Sequence, residues 1–452
     1  MRKIIQYMMM ALIAVVLASC ANDISEESTP TVKSNIRFVV DDFPMFEKPS
    51  TRTIGEEDKG KTAWAVGDEI CVKLESKELG TQTATLKYNG VKFEIQDGNS
   101  LCYLDGEPVT AYAYYAPNRK WLNDGNLGYK DGEHDGTAEF LEATCTVHYG
   151  DDNYVDISFA NATRNYSRLR IATIPKTEIK VDADNFAPTD NPNLLYMTYT
   201  LTSDEKGNAY LYGTFDNNSI VTVKYRGASL ATHKFSKKTE NAKSYALDAT
   251  VISANSAEEI NSAIKQEVAD GKTAIRLNIA SDAGDNEFKA IREAFKNVKS
   301  GTIDLTLIGC KEIPADGLND IKALKSIFLP DVTKIGMNAL SYCVNLQEIC
   351  APNVSAIDER AFAGFIMLTK VTLGELTDVR GEANSGGGIF DDDKRIPIDL
   401  YLPQNQEVMK GEFDENSNQY IWKPTGESYF PSLDYDNGVF LGYQFDSVKS
   451  WE

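Results

Sequence analysis

The sequence predicts a multidomain chain: an all-β region folded as one sandwich or two, followed by an α/β solenoid of short repeats. Three observations predict it. Residues 34–252 carry short runs of alternating apolar and polar residues separated by turn residues. Residues 303–379 carry six apolar columns that return every 22 residues. Between them, residues 253–300 change from the period of a strand to the period of a helix.

The segment before the β region stands apart. Arg2 and Lys3 precede an uncharged apolar stretch, Met8 to Leu17, too short to span a bilayer and suited to a signal peptide. Leu17-Ala18-Ser19-Cys20 follows at once and resembles the bacterial lipobox. That resemblance implies cleavage after Ser19, acylation of Cys20 and attachment to a membrane through the lipid. Residues 20–33 are polar, with Ser, Thr, Pro and acidic side chains, and read as a tether. Asp23, Glu26 and Glu27 loosely resemble the acidic residues that go with display on the outer face of the outer membrane.

A net charge of −21 argues against nucleic acid as a partner. Of the seven cysteines, Cys20 is assigned to the lipid. The other six are scattered, with no CxxC, and only three histidines exist, so neither a zinc site nor a disulfide scaffold is expected. They read as small buried hydrophobes.

In the β region the alternating runs include Ile36-Phe38-Val40, Ile70-Val72-Leu74, Val155-Ile157-Phe159 and Val221-Val223-Tyr225. Thr83 to Gln96 reads as a hairpin about a two-residue Asn89-Gly90 turn. That register pairs Tyr88 with Val91, Leu86 with Phe93 and Ala84 with Ile95, all on one apolar face. A Pro- and Asn-rich stretch, Pro175 to Pro192, divides the region into 34–174 and a second sandwich or continuation at 175–252.

Residues 253–403 form the repeat domain with its N-terminal cap. Ser256 caps a helix running to Asp270, a strand follows at Ile275, Leu277 and Ile279, and a second helix covers Asn286 to Val298. The columns then run Ile313, Ile335, Ile357, Val379, and likewise from Leu318, Leu324, Ile327, Leu329 and Val332. Leu324-x-x-Ile327-x-Leu329 is a leucine-rich-repeat strand pattern, each turn being one short strand plus a helical or irregular return; stacking such turns makes a continuous core that no single turn can bury. Leu402 lies more than one period beyond Leu373, so the extra length is placed on a surface insertion, GEANSGGGIFDDD. Its Asp391-Asp392-Asp393 run reads as a solvated acidic loop rather than a calcium site. Residues 404–452 are a C-terminal cap or tail.

Two resemblances follow. Ala361-Phe362 with Phe365, and Ala339-Leu340 with Cys343, resemble the BspA-like leucine-rich repeats over roughly residues 300–403. Family members are bacterial surface proteins that adhere to host matrix proteins or to other bacteria. The β region resembles the fimbrillin family, through Ile36-Phe38-Val40, Thr51-Arg52-Thr53 and Trp64-x-x-Gly67-Asp68-x-Ile70-x-Val72. That likeness implies β-sandwiches and, in true pilins, cleavage after an arginine that releases the first strand for donor-strand exchange. Arg52 lies where such a cleavage falls. Pilins end in a donor strand, whereas here a whole solenoid follows the β region, which sets this chain apart.

No GxSxG, HExxH, GxxxxGK or GxGxxG occurs, and the three histidines are far apart, so the sequence predicts no enzyme and no cofactor. In the aromatic cluster Tyr112, Tyr114, Tyr115, Trp121 and Tyr129, only Trp121 reads as a sugar-stacking candidate. The candidate binding face comprises the residues between the apolar strand positions: Ser326, Phe328, Glu348, Cys350, Lys370, Thr372 and Tyr401. The alternative is that the C-terminal segment, with Tyr420, Trp422, Tyr429 and Phe430, folds over that face. The expected function is a lipid-anchored surface adhesin with a protein ligand. A fimbrial accessory or tip subunit, with fimbrial subunits as partners, is one alternative, and a glycan-binding lipoprotein the other.

Overall fold

The computed structural model describes residues 32–33, 36–47, 60–96, 100–150, 153–159, 164–189, 196–383, 387–390, 395–430 and 438–451. The expected signal segment and Cys20, together with Arg52 and Asp391 to Asp393, lie outside the described residues. The chain is β-rich, with two α-helices among the described residues, α1 (Ala257–Ala269) and α2 (Asp285–Phe295). Neither is long and apolar enough to cross a membrane.

The first seven-stranded sheet runs Arg37–Val40, Tyr154–Ile157, Leu141–His148, Val109–Tyr115, Glu69–Ser76, Gly80–Tyr88, Phe93–Ile95. The first strand lies at one edge, parallel to Tyr154–Ile157, and the other neighbours are antiparallel. The apolar halves of the strands meet in one core that includes Phe38, Ile70, Leu74, Leu86, Phe93 and Ile157. Trp64 explains its motif: its ring lies 4.8 Å from Phe43, 5.0 Å from Phe93 and 5.3 Å from Tyr115. Its indole N–H donates to the Asp41 carbonyl at 2.8 Å. Gly67, at φ 96°, turns the chain so that Asp68 accepts from the Ala65 N–H at 2.6 Å before Ile70 enters the core.

The hairpin exists, but in a different register. Tyr88 pairs with Phe93 and Leu86 with Ile95, two residues from the expected partners. Asn89 Oδ1 accepts from the N–H groups of Val91 and Lys92 at 2.9 and 3.0 Å, an Asx turn that widens the loop. A shift of two keeps the apolar face intact but expels Val91, which is 86% exposed.

Two four-stranded sheets follow. One runs Phe186–Pro188, Asn208–Phe215, Ser167–Ala172, Ser244–Asp248; the other runs Tyr196–Thr202, Glu178–Asp184, Ile220–Tyr225, Ala228–Lys234. Their core begins at Leu169, ahead of the Pro175 to Pro192 stretch, and takes in Phe186, Tyr199, Leu211, Phe215 and Val223. It also includes Ile308 from the repeat region.

The repeats build two long sheets. The nine-stranded sheet runs Ile252–Ser253, Ala274–Asn278, Ile303–Ile308, Leu324–Phe328, Glu348–Ala351, Lys370–Leu373, Arg395–Pro403, Tyr443–Trp451, Val439–Phe440. Ile327, Ile349 and Val371 are ladder partners, and Val371 pairs with Leu400 across the longer turn. The second sheet joins Glu312–Ile313, Lys334–Ile335, Ala356–Ile357 and Asp378–Arg380, with Ile313, Ile335, Ile357 and Val379 in register. The sequence period therefore becomes a parallel ladder on both sheets. Helix α1 begins at the expected Ser256 cap, which forms a capping box with Glu259.

One expectation changes, and the structure bears on two points that the sequence leaves open. The described turns between strands of the repeats contain no helix; α1 and α2 precede them. The insertion is not all surface, because Ile389 and Phe390 are buried. The Phe362 N–H donates to the Ile389 carbonyl as the Leu340 N–H does to that of Ala361, so Ile389-Phe390 stands in the next Ala-Phe position. Finally, the described residues of the C-terminal segment extend the ends of both sheets rather than lying over the face. Tyr443–Trp451 adds a parallel strand to Arg395–Pro403, and Gln419–Ser428 adds an antiparallel one to Asp378–Arg380. Tyr429, Phe440, Tyr443 and Phe445 carry the core to its end.

Candidate binding face

Parallel pairing in register brings the sequence-predicted residues into two rows. Ser326, Glu348, Lys370 and Asp399 form one; Phe328, Cys350, Thr372 and Tyr401 form the other, extended by Lys449. Neighbouring strands stand about 4.8 Å apart, which puts Phe328 and Tyr401 roughly 14 Å apart along their row.

The first row is a chain of polar contacts. The Ser326 hydroxyl donates to Asp304 Oδ1 at 2.5 Å. Lys370 Nζ pairs with Glu348 Oε1 at 2.8 Å. Lys449 Nζ pairs with Asp399 Oδ2 at 3.2 Å, and Ser447 also donates to Asp399, so its carboxyl is held below the usual range. Lys370 and Lys449 flank the Tyr401 ring, their ammonium groups 5.4 and 5.5 Å from its centroid.

The face is not evenly open. Ser326 and Cys350 are buried, and burial pushes the Cys350 thiol up to about 12. Phe328, Glu348, Lys370, Thr372 and Tyr401 are half-buried. Among the described residues, the cover over the upstream half comes from the second four-stranded sheet and not from the C-terminal segment. Its hairpin, Ile220–Tyr225 with Ala228–Lys234, reaches the repeats through three contacts. Arg226 Nη1 pairs with Asp331 Oδ1 at 2.5 Å, and Asp331 also accepts the Gly309 N–H at 2.9 Å. Arg276 Nε donates to the Leu230 carbonyl at 2.5 Å. Gly227, at φ 86°, lies so close to Pro352 that a Cβ there would sit 3.2 Å from its ring. Between hairpin and sheet an open cleft of about 420 Å³ remains, lined by Phe328, Glu348, Arg276, Asp304 and Lys325 among others.

Sequence reasoning missed Arg226, Arg276, Asp304, Asp331 and Lys449. Asp331 falls in a column with Asn353 and Glu375, and nothing in the spacing marks it as the buried one. Trp121 is not a free platform: its N–H donates to the Ala84 carbonyl at 2.9 Å and its ring meets Tyr114 edge-on at 6.1 Å. His148 pairs with Asp156 at 2.8 Å and stacks on Tyr154, while His233 lies edge-on to Phe235. The described cysteines are free thiols; Cys71, Cys310, Cys343 and Cys350 are buried, whereas Cys102 and Cys145 are partly exposed. Among the described residues no group of three or more His, Cys, Asp or Glu side chains could hold a metal.

Residues 286–386 match a BspA type leucine rich repeat region in six copies. No curated protein matches the chain. Among solved structures, a Bacteroides fragilis protein assigned to cell adhesion is 10% identical, covering 48% of this chain and 92% of its own, with a TM-score of 0.25. The fimbrial anchor protein Mfa2 from Porphyromonas gingivalis is 9% identical, covering 44% and 80%, with a TM-score of 0.19. The shaft pilin SpaA from Lactobacillus rhamnosus is 12% identical, covering 49% and 97%, with a TM-score of 0.17. At these scores no residue's role transfers to this chain.

Proposed function

We propose that this chain is a non-catalytic adhesin of the outer membrane, held to the cell exterior by a lipid on Cys20, that presents one face of its leucine-rich-repeat solenoid to a protein ligand. In this reading two sandwiches, divided near the end of the first core, carry the solenoid away from the membrane. The observation that carries it is the row ending in Thr372, Tyr401 and Lys449. A half-buried aromatic ring flanked by two lysines on a rigid parallel sheet is the kind of anchor protein interfaces use. The repeat match supports it, because such repeats resemble those of surface proteins that adhere to host matrix proteins or other bacteria. The test is the double variant Phe328→Ala with Tyr401→Ala, assayed on a panel of immobilised matrix proteins. Binding should fall about tenfold or more with the thermal melt retained; binding equal to the parent protein removes the face from consideration.

A second reading, an accessory or tip subunit of a fimbria, draws on the first strand. Arg37–Val40 sits at a sheet edge with Phe38 buried, so its release would open an apolar groove. Intact mass of protein from native outer membranes separates the two. A lipid-modified start at Cys20 supports the anchored adhesin, and an unlipidated start at Thr53 supports fimbrial assembly.

A further inference from the structure

We propose that the cleft between the second sandwich and the upstream end of the repeat sheet is a saccharide-binding site, with the Phe328 ring as the stacking platform for one sugar unit and room for a second. The proposal goes beyond the adhesion reading and stands without it, since neither the lipid anchor nor a protein ligand enters the argument.

The cleft's size comes first. About 420 Å³ is too small to seat a folded partner and lies at the lower end of the range for small-molecule sites. Its walls are held together by the pairing of Arg226 with the buried Asp331, the bond from Arg276 to the Leu230 carbonyl, and the buried Ile308, which joins the core of the two four-stranded sheets. A ligand therefore meets a preformed shape and spends little of its binding free energy ordering the site.

Chemistry decides the ligand class. Asp304 uses Oδ1 for Ser326 and Glu348 uses Oε1 for Lys370. The second oxygen of each carboxylate has no hydrogen bond among the described residues. The Gln347 amide and the Lys325 ammonium likewise carry no side-chain hydrogen bond among the described residues, and both line the cleft. Acceptors and donors thus surround a single aromatic face. Two cationic side chains, Arg276 and Lys325, nearly balance Asp248, Asp304 and Glu348, so no strong field selects an anion or a cation. A sugar ring answers each feature. Its C–H face is weakly positive and sits on the negative face of an aromatic ring. Its hydroxyls both donate and accept, which matches carboxylate, amide and ammonium at once.

The test titrates the full chain with neutral disaccharides (lactose, maltose, cellobiose, mannobiose and N,N′-diacetylchitobiose) by saturation-transfer NMR and calorimetry. At least one should bind with a Kd of about 1 mM or tighter. Phe328→Ala should weaken that binding about tenfold. Phe328→Leu, which keeps the volume and loses the ring, should do the same and covers the case in which the alanine variant fails to fold. Gln347→Ala, on an exposed residue, should weaken binding about threefold. Tyr401→Ala, three strands away, should leave sugar binding unchanged. The proposal is overturned if none of the five sugars binds, if Phe328→Leu and Gln347→Ala bind as the parent does, or if a short extended peptide takes the cleft in their place. Loss of adhesion in Tyr401→Ala with sugar binding intact would bear on the adhesion reading alone.

Discussion

A single buried pair shows how much one side chain can hold where the seven-stranded sheet meets the two four-stranded sheets. Glu139 and Arg164 are each 6% exposed at the side chain, and Arg164 Nε donates to Glu139 Oε1 at 2.9 Å. Arg164 also donates to the Pro44 carbonyl at 2.6 Å and lies over the Phe46 ring at 4.2 Å. Burial raises the Glu139 carboxyl above its ordinary value despite the guanidinium, with Arg168 and Lys61 opposing it more weakly. The sign of the pH effect follows. A carboxyl with a raised folded pKa binds its proton more tightly when folded, so its contribution is greatest below the unfolded value and declines as pH rises through the folded one. Arg164→Met removes the main opposing charge and deepens that decline. The variant should lose about 3–5 kcal/mol at pH 8. The loss should be smaller at acid pH, because protonation of Glu139 removes its need for a partner. Urea midpoints at the two pH values check this, and a loss independent of pH would show that Glu139 is not the group at fault. None of this is visible in the sequence, because Glu139 and Arg164 are far apart in a stretch with no repeating pattern.

Elements divide into those that local pattern specifies and those that depend on one turn. The repeat strands are legible because each apolar column contacts its own copy one period away, so pattern and contact are the same fact. The turns between them are less so. The sequence allows either a helical or an irregular return there, and each turn carries two left-handed positions: Asp316, Asn338 and Arg360 at φ 54° to 57°, then Asp320, Tyr342 and Gly364 at φ 55° to 76°. Such positions interrupt a right-handed helix. The column of Asp, Asn and Arg hides this, since only the first two favour that conformation. The hairpin at Asn89-Gly90 misleads for a related reason. Asn-Gly permits a two-residue turn, but the Asn89 side chain bonds two backbone N–H groups and holds a wider loop. The register makes a sharp prediction. In the two-residue turn Val91 is core, and Val91→Lys would cost several kcal/mol. With Val91 outside the ladder, that substitution should change stability by less than about 0.5 kcal/mol. Chemical denaturation of the variant separates the registers, and a large loss would restore the shorter turn.

At the scale of the whole molecule, the repeat stack is open-ended by construction and needs something at each end. Upstream, α1 and α2 pack against the first strands, with Ile260, Ile264, Phe288 and Ile291 buried. Downstream, the segment after Pro403 closes both sheets at once, and sequence alone could not choose between an end cap and a lid because either buries the same aromatics. Register chooses: Leu400 pairs with Val448 and Leu402 with Ser450 in a parallel ladder, while Val379 pairs with Trp422. Phe390 meets Tyr443 and Phe445 at ring distances of 5.5 and 5.6 Å, so the terminal strand also seals the last repeat's core. This assigns the segment a structural duty independent of any ligand. A chain ending at Pro403 would expose Leu400, Leu402, Ile398 and Phe390 together with an unpaired edge strand. It should lose most of its soluble yield or form higher oligomers, seen as a shift in size-exclusion elution. A lid over the binding face would give the opposite result, since removing it would leave a soluble monomer with a more accessible Phe328 and Tyr401. Elution of the truncated chain as a stable monomer would therefore return the segment to the face and reopen the question of what covers it.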